Sequence, residues 1–272
     1  MTIKVVPSPG DLPERHGQTP LAGPSGAART DAHAPPVIEL RGLRLPVAGS
    51  QDLLDLTVWH GELVMLTGQP RSGRSALLNV LGLLDRPAAG SYLLNGANTA
   101  TLRDRDRSAL RGRQIGFVFQ RRMVLPTRSV LDNVMLPLRY SGLRRRQRAA
   151  VAWQSLERVG LADQASLMAW QLSAGELALC AIARALATQP SLLLCDDPTA
   201  GLDQATATRV IGLLAGLHRE GKTVLIATAE QLAAAYSSRS VQLGPPAPTM
   251  LPLPQRPTGP AALTDSGAGQ LP

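Results

Sequence analysis

Residues 62–76 read Glu62-Leu-Val-Met-Leu-Thr-Gly-Gln-Pro-Arg-Ser-Gly-Arg-Ser-Ala76, and this stretch decides the fold. Glu62–Thr67 is a short apolar run without polar alternation, which predicts a strand buried on both faces. Gly68 and Gly73 bracket a turn, and the leucine spacing that follows predicts a helix over Ser75–Leu84. Strand, glycine-rich turn and helix in that order are where a phosphate-binding loop belongs. Free backbone N–H groups and a helix N-terminus there present fixed partial positive charge to an anion. The candidate cradle is Gly68, Gln69, Pro70, Arg71, Ser72, Gly73, Arg74, Ser75 and Ala76, with the Ser75 hydroxyl placed to reach Mg²⁺. Taken alone, the same residues also suit a plain strand–helix turn.

Moving outward, Ile115–Phe119, Ser191–Cys195 and Thr223–Ala227 are three more apolar runs of strand length, with a helical pattern at about 205–220 between the last two. Apolar strands alternating with helices predict a parallel sheet covered on both faces, hence an α/β class. The middle, about 129–188, is mostly helical and reads as an insertion into that core. The run 191–195 ends in Asp196-Asp197-Pro-Thr, placing two carboxylates at the carboxyl end of a buried strand, where α/β sheets put their chemistry. Asp196 could hold Mg²⁺, and Asp197 could polarise an attacking water. A helix N-cap with acidic first-turn residues would leave the same trace. Leu172-Ser-Ala-Gly-Glu176 opens an Ala- and Leu-rich helix, with Ser173 and Glu176 at capping-box spacing.

Composition bounds the remaining possibilities. The chain has 272 residues, with 44% hydrophobic and only 3% aromatic, so aliphatic side chains must fill the core. No apolar run approaches the roughly 18 residues of a membrane span, and the first residues lack the apolar stretch of a secretory signal. Two cysteines, Cys180 and Cys195, exclude a disulfide scaffold or a Cys-rich metal site. The chain reads as cytosolic. Prolines mark the ends: seven of 22 fall in residues 1–36 and eight in 245–272, so both segments are expected to be disordered tails around one domain at 37–244. The net charge of +8 is carried almost wholly by arginine. Between Arg103 and Arg148, thirteen arginines stand against Asp104, Asp106 and Asp132, leaving a local excess of ten positive charges. A solvated face, anionic lipid headgroups, an acidic protein segment and nucleic acid are the candidate explanations.

Together these motifs resemble the nucleotide-binding subunit of an ABC transporter, of the lipoprotein-release and macrolide-export branch. Gly68–Ser75 is similar to the Walker A loop, Gln120 to the Q-loop glutamine, Leu172–Glu176 to the signature, Leu192–Asp197 to Walker B and Ala200–Asp203 to the D-loop. The runs Leu78–Asp85, Ala181–Leu186 and Glu220–Thr223 match as well. The resemblance implies a P-loop NTPase (RecA-like) core with an antiparallel β edge and an ABC-type helical subdomain at about 125–188. It implies ATP and Mg²⁺ as ligands, with Ser75, Gln120 and Asp196 around the metal. It also implies a second ATP-binding subunit, whose ATP would meet Leu172, Ser173, Ala174, Gly175 and Glu176. A separate membrane permease is the implied partner, which puts the chain in the cytoplasm, peripheral on the inner face of the cell membrane; no nucleic-acid partner is expected.

The departures from the family pattern fall on catalytic positions. Arg74 replaces the Walker A lysine with a planar guanidinium, and Arg71 replaces a glycine. Asp197 replaces the catalytic glutamate and is shorter by about 1.5 Å. Ala229 occupies the switch-histidine position and cannot hydrogen-bond a phosphate. No aromatic residue precedes Trp59, so the usual adenine-stacking tyrosine is missing. An impaired hydrolytic site, served by an intact partner subunit, is therefore the alternative expectation.

Overall fold

The computed structural model describes residues 4–7, 35–47, 53–69, 71–228 and 236–244. Six strands form the main sheet: β1 (Lys4–Pro7), β4 (Leu63–Gly68), β7 (Ile115–Val118), β8 (Leu192–Asp196), β9 (Thr223–Ala227) and β10 (Arg239–Leu243). Their spatial order is β1-β10-β4-β9-β8-β7, parallel throughout except for β1. The apolar runs are thus the central strands, and their side chains alternate between two cores. Leu63, Met65, Leu193, Cys195, Val224 and Ile226 face one. Val64, Leu66, Leu192, Leu194, Leu225 and Ala227 face the other.

Each face is covered by a different layer. On one side, the helical insertion packs as α3 (Val130–Met135), α4 (Arg145–Val159) and α5 (Ala174–Leu186), together with α6 (Gln204–Arg219). In α6 the buried residues Ala207, Val210, Ile211, Leu214, Ala215 and Leu217 form one apolar stripe. The other side carries α1 (Arg74–Leu81) and a second, antiparallel sheet. That sheet has the order β3-β2-β5-β6, with β2 at Ile38–Arg44, β3 at Leu54–Val58, β5 at Ala89–Leu94 and β6 at Ala97–Asn98. Its strand β3 alternates buried and exposed positions, as a one-sided sheet requires. A further helix, α2 (Asp104–Gln114), precedes β7.

Three differences from the sequence expectations have local causes. The first helix stops at Leu81 rather than Leu84. Gly82 follows as its cap, Leu83 turns left-handed with φ 55°, and the N–H groups of Leu84 and Asp85 return to the Asn79 carbonyl. Lys4–Pro7 is not part of a disordered tail: it pairs antiparallel with β10, from Lys4 opposite Gln242 to Pro7 opposite Arg239. The β-branched pair Val5-Val6 suits a strand, and β10 would otherwise leave an unpaired edge. Strand β10 itself carries no uninterrupted apolar run and escapes sequence reading. The rest of the two proline-rich segments, residues 1–3, 8–34 and 245–272, lies outside the described residues, as do Pro70 and Ala229.

Candidate functional site

Strand β4 ends in Gly68, whose φ of 154° and surroundings admit no side chain. A Cβ there would lie 2.4 Å from the Leu243 carbonyl oxygen and 2.5 Å from the Ser72 hydroxyl. The loop then folds back, with the Ser72 N–H donating to the Gln69 carbonyl at 3.0 Å. Arg71 adopts a left-handed φ of 67°, which costs a non-glycine residue about 1 kcal/mol. Gly73, at φ 90°, is the N-cap of α1, and no side chain caps that helix. The first N–H groups of α1 therefore face outward without a side-chain acceptor. Two buried polar atoms of the loop, Ser72 Oγ and Arg74 Nη1, have no hydrogen-bond partner among the described residues. A cradle closed to any Cβ, with orphaned donors around it, fits an anion with several acceptor oxygens.

Across the sheet, β8 delivers Asp196 to this loop. The Ser75 hydroxyl donates to Asp196 Oδ1 at 3.1 Å, joining residues 121 positions apart. Burial raises the Asp196 carboxyl above the usual carboxylate range; the Ser75 hydrogen bond opposes this, the neighbouring Asp197 charge adds to it, and the Arg74 charge opposes it again. A hydroxyl and a carboxylate side by side are hard oxygen donors of the kind Mg²⁺ takes alongside phosphate oxygens. Among the described residues no group of three or more His, Cys, Asp or Glu could hold a metal ion without such help. The residues present thus fit Mg²⁺ carried in with a phosphate ligand.

Asp197 also has a left-handed φ, 45°, fixed by its N–H donating to the Ala227 carbonyl at 2.7 Å. Its carboxylate accepts from the Thr228 hydroxyl at 3.1 Å. Gln120 is exposed, two residues beyond Val118 of β7, and Val118 is paired with Cys195. Gln120 and Asp197 therefore leave neighbouring parallel strands at the same, carboxyl end of the sheet.

The fourth element stays apart. Ser173 is the N-cap of α5: its hydroxyl accepts from the Glu176 N–H at 3.3 Å, while its N–H donates to Glu176 Oε2 at 2.8 Å. The Ser173 hydroxyl also donates to Glu176 Oε2 at 2.7 Å, and this bond, followed by the one from the Ser173 N–H, holds the Glu176 carboxyl below its usual range. No hydrogen bond joins Leu172–Glu176 to the 68–76 loop among the described residues. Instead Gly175 abuts α6, where an added Cβ would lie 2.6 Å from Thr206 Cγ2. Thr206 is in turn fixed by Asp203, which accepts from its N–H at 3.0 Å and from its hydroxyl at 2.6 Å.

Two arginines were not singled out by the sequence reading. Arg122 and Met123, directly after the Gln120 turn, both have left-handed φ (51° and 49°). Arg184 of α5 donates to their two carbonyls, each at 2.6 Å, and Arg122 donates to the Ala200 carbonyl at 2.7 Å. The 120–123 turn is thereby tied to α5 on one side and to the 200–203 turn on the other. The available signal was Arg184 itself, the one charge in the apolar run Ala178–Ala187. A cation in such a run needs buried acceptors.

A parallel sheet with a glycine-rich loop after β4 and an acidic end on β8 defines a P-loop α/β fold. The chain belongs to the ABC transporter family, whose model matches residues 52–200. It is 44% identical over 213 residues to the macrolide export ATP-binding/permease protein MacB of Rhodopseudomonas palustris (strain HaA2), an alignment covering 76% of this chain but 32% of that protein. It is 39% identical over 190 residues to the ABC transporter ATP-binding protein YknY of Bacillus subtilis (strain 168), covering 70% of this chain and 83% of that relative. Among solved structures, the dimeric ATP-binding cassette MJ0796 in a post-hydrolysis state bound to ADP and Pi superposes with a TM-score of 0.69 at 32% identity, over 76% of this chain and 94% of that one.

Proposed function

We propose that the chain is the ATP-binding subunit of a transporter, coupling ATP binding or hydrolysis to a separate membrane permease. The observation that carries this reading is the Ser75–Asp196 hydrogen bond, which unites the glycine-rich loop with the acidic end of β8 beside orphaned donors. The uncapped first N–H groups of α1 and the Arg74 guanidinium bind phosphate oxygens. Ser75 and Asp196, with Gln120 at the same carboxyl end of the sheet, would hold Mg²⁺, which would supply positive charge to neutralise a bound phosphate. Asp197 accepts the proton of an attacking water, positioned by its short backbone bond and by Thr228.

The N-terminal donors of α5, which make no hydrogen bond to the 68–76 loop among the described residues, are assigned to the nucleotide of a second ATP-binding subunit on the pattern of the dimeric neighbour. The dimeric MJ0796 cassette supports that reading, and the ATP-binding/permease naming of MacB supports a role beside a permease. Among the described residues no helix is long and apolar enough to cross a membrane.

A second reading is favoured by the substituted catalytic groups: this chain binds nucleotide while an intact partner subunit hydrolyses it. Arg74 fills the lysine position with a larger group, and Asp197, shorter than glutamate, is already engaged by Thr228. Steady-state ATP turnover of the purified chain, alone and with an intact cassette, separates the two. Turnover of about 1 s⁻¹ or faster by the chain alone lies in the usual enzyme range and supports hydrolysis here. Background turnover alone, with activity in the mixed complex that falls when Ser173 is replaced by a bulky residue, supports the second reading. A chain that binds no Mg²⁺–ATP in titration, and gains no thermal stability from it, refutes both.

A further inference from the structure

Within the arginine excess of residues 103–148, two populations stand out, while Arg103, Arg105, Arg113, Arg121 and Arg128 are exposed singly or in pairs along the chain. Arg107 donates to the Asp85 carbonyl at 2.8 Å, Arg111 to the Leu83 carbonyl at 3.0 Å and Arg122 to the Ala200 carbonyl at 2.7 Å. These three staple the backbone and need no outside partner. The other population lies around the turn that enters α4. Residues 139–147 are exposed without a break, and they comprise Arg139, Tyr140, Ser141, Gly142, Leu143, Arg144, Arg145, Arg146 and Gln147. No acidic residue occurs between Asp132 and Glu157. Among the described residues, none of Arg139, Arg144, Arg145, Arg146 or Arg148 is ion-paired.

Like charges packed this closely repel one another, and Arg144, Arg145 and Arg146 also sit at the positive end of α4, where the helix dipole disfavours cations. An anionic surface relieves both penalties. The tip is not purely cationic, however. Tyr140 is 95% exposed and Leu143 37%, so an aromatic ring and an aliphatic side chain project among the arginines. A ring with a polar tip beside exposed guanidinium groups suits the headgroup level of a bilayer, where each arginine near an anionic surface contributes about 1 kcal/mol. A groove of about 900 Å³ lies between this tip and α2, with Tyr140, Ser141 and Leu143 on its wall. The near-complete exposure of Tyr140 and the unbroken exposure of 139–147 nevertheless leave the arginines and the ring open to a broad anionic surface.

We propose that the Arg139–Gln147 tip docks on anionic phospholipid headgroups, with Tyr140 and Leu143 seated at the interface and Arg144, Arg145 and Arg146 among the phosphates. This deepens the membrane-side placement proposed above, but it requires neither ATP turnover nor a permease. The full chain by itself is therefore the right test object, and a failure here leaves the ATP-binding reading standing. Flotation is measured with phosphatidylcholine vesicles, and with vesicles containing roughly a third phosphatidylglycerol, at about 0.1 M salt. The expected result is binding to the anionic vesicles at least about tenfold above the neutral ones. R144Q/R145Q/R146Q should then lose on the order of a hundredfold in partitioning, roughly fivefold per arginine. Y140S/L143S should lower the part of the binding that survives high salt. The control R41Q/R44Q/R209Q removes equal charge from other faces and should bind as the unaltered chain does. Equal binding to both vesicle types overturns the proposal, as does an equal loss in the control. A Y140S/L143S variant that binds normally while duplex DNA competes as well as lipid also overturns it, since the tip would then be a general polyanion surface.

Discussion

Gly175 offers a test in which local propensity and tertiary packing pull in opposite directions. It is the second residue of α5, where replacing glycine by alanine should stabilise the helix by up to about 1 kcal/mol. The added Cβ would, however, stand 2.6 Å from Thr206 Cγ2. Thr206 cannot swing aside cheaply, because Asp203 holds both its N–H and its hydroxyl. Overpacking of this kind costs roughly 1–3 kcal/mol. The expected net effect of Gly175→Ala is thus a loss of about 0–2 kcal/mol rather than a gain. Thr206→Ser removes the obstructing methyl and keeps the hydroxyl bond to Asp203. In that background Gly175→Ala should stabilise by up to about 1 kcal/mol, giving a coupling energy of roughly 1–3 kcal/mol between the two sites. Urea denaturation of the four proteins in the cycle measures this directly. A stabilising Gly175→Ala in the unaltered chain, or additive effects of the two substitutions, would refute the packing of α5 on α6 as described.

Two further outcomes follow from the hydrogen bonds. Arg184→Met keeps the aliphatic stem but removes both donors to the Arg122 and Met123 carbonyls, and should lower stability by roughly 2–4 kcal/mol, with Arg184→Lys intermediate because it offers only a point charge; thermal unfolding reads the loss. Glu176 has a folded pKa held below its ordinary value of 4.5 by Ser173, so its contribution is fully present above that value and disappears as pH falls through the lower, folded pKa. The stability gap between the unaltered chain and Ser173→Ala should therefore be flat near neutral pH and narrow in acid, and a gap that widens in acid would contradict the capping geometry.

Much of the core was legible because its signals are local. Thr223–Ala227 could be placed to the residue, since a five-residue apolar run has few alternatives to a buried strand. Ser173 and Glu176 announced their capping box by spacing alone. Gly68 and Gly73 marked a turn before a helix, and their φ angles of 154° and 90° are ones glycine tolerates.

What the sequence by itself determined, then, are the segments whose physics closes within a few residues: apolar runs, caps and glycine turns. Only the tertiary structure decided which segments share a site. The Ser75–Asp196 bond spans 121 residues, and the Arg122–Ala200 bond spans 78. Strand β10 and its neighbour β1 exist because each completes the hydrogen bonding of an edge, a property of the assembled sheet rather than of either segment. The arginines make the same point. In the sequence Arg107, Arg111 and Arg122 cannot be told from Arg144, Arg145 and Arg146, because charge patterning does not reveal which guanidinium finds a carbonyl. The fold gives the first three backbone carbonyl acceptors and leaves the others facing water, since a donor is satisfied only by whatever the folded chain brings within reach of it.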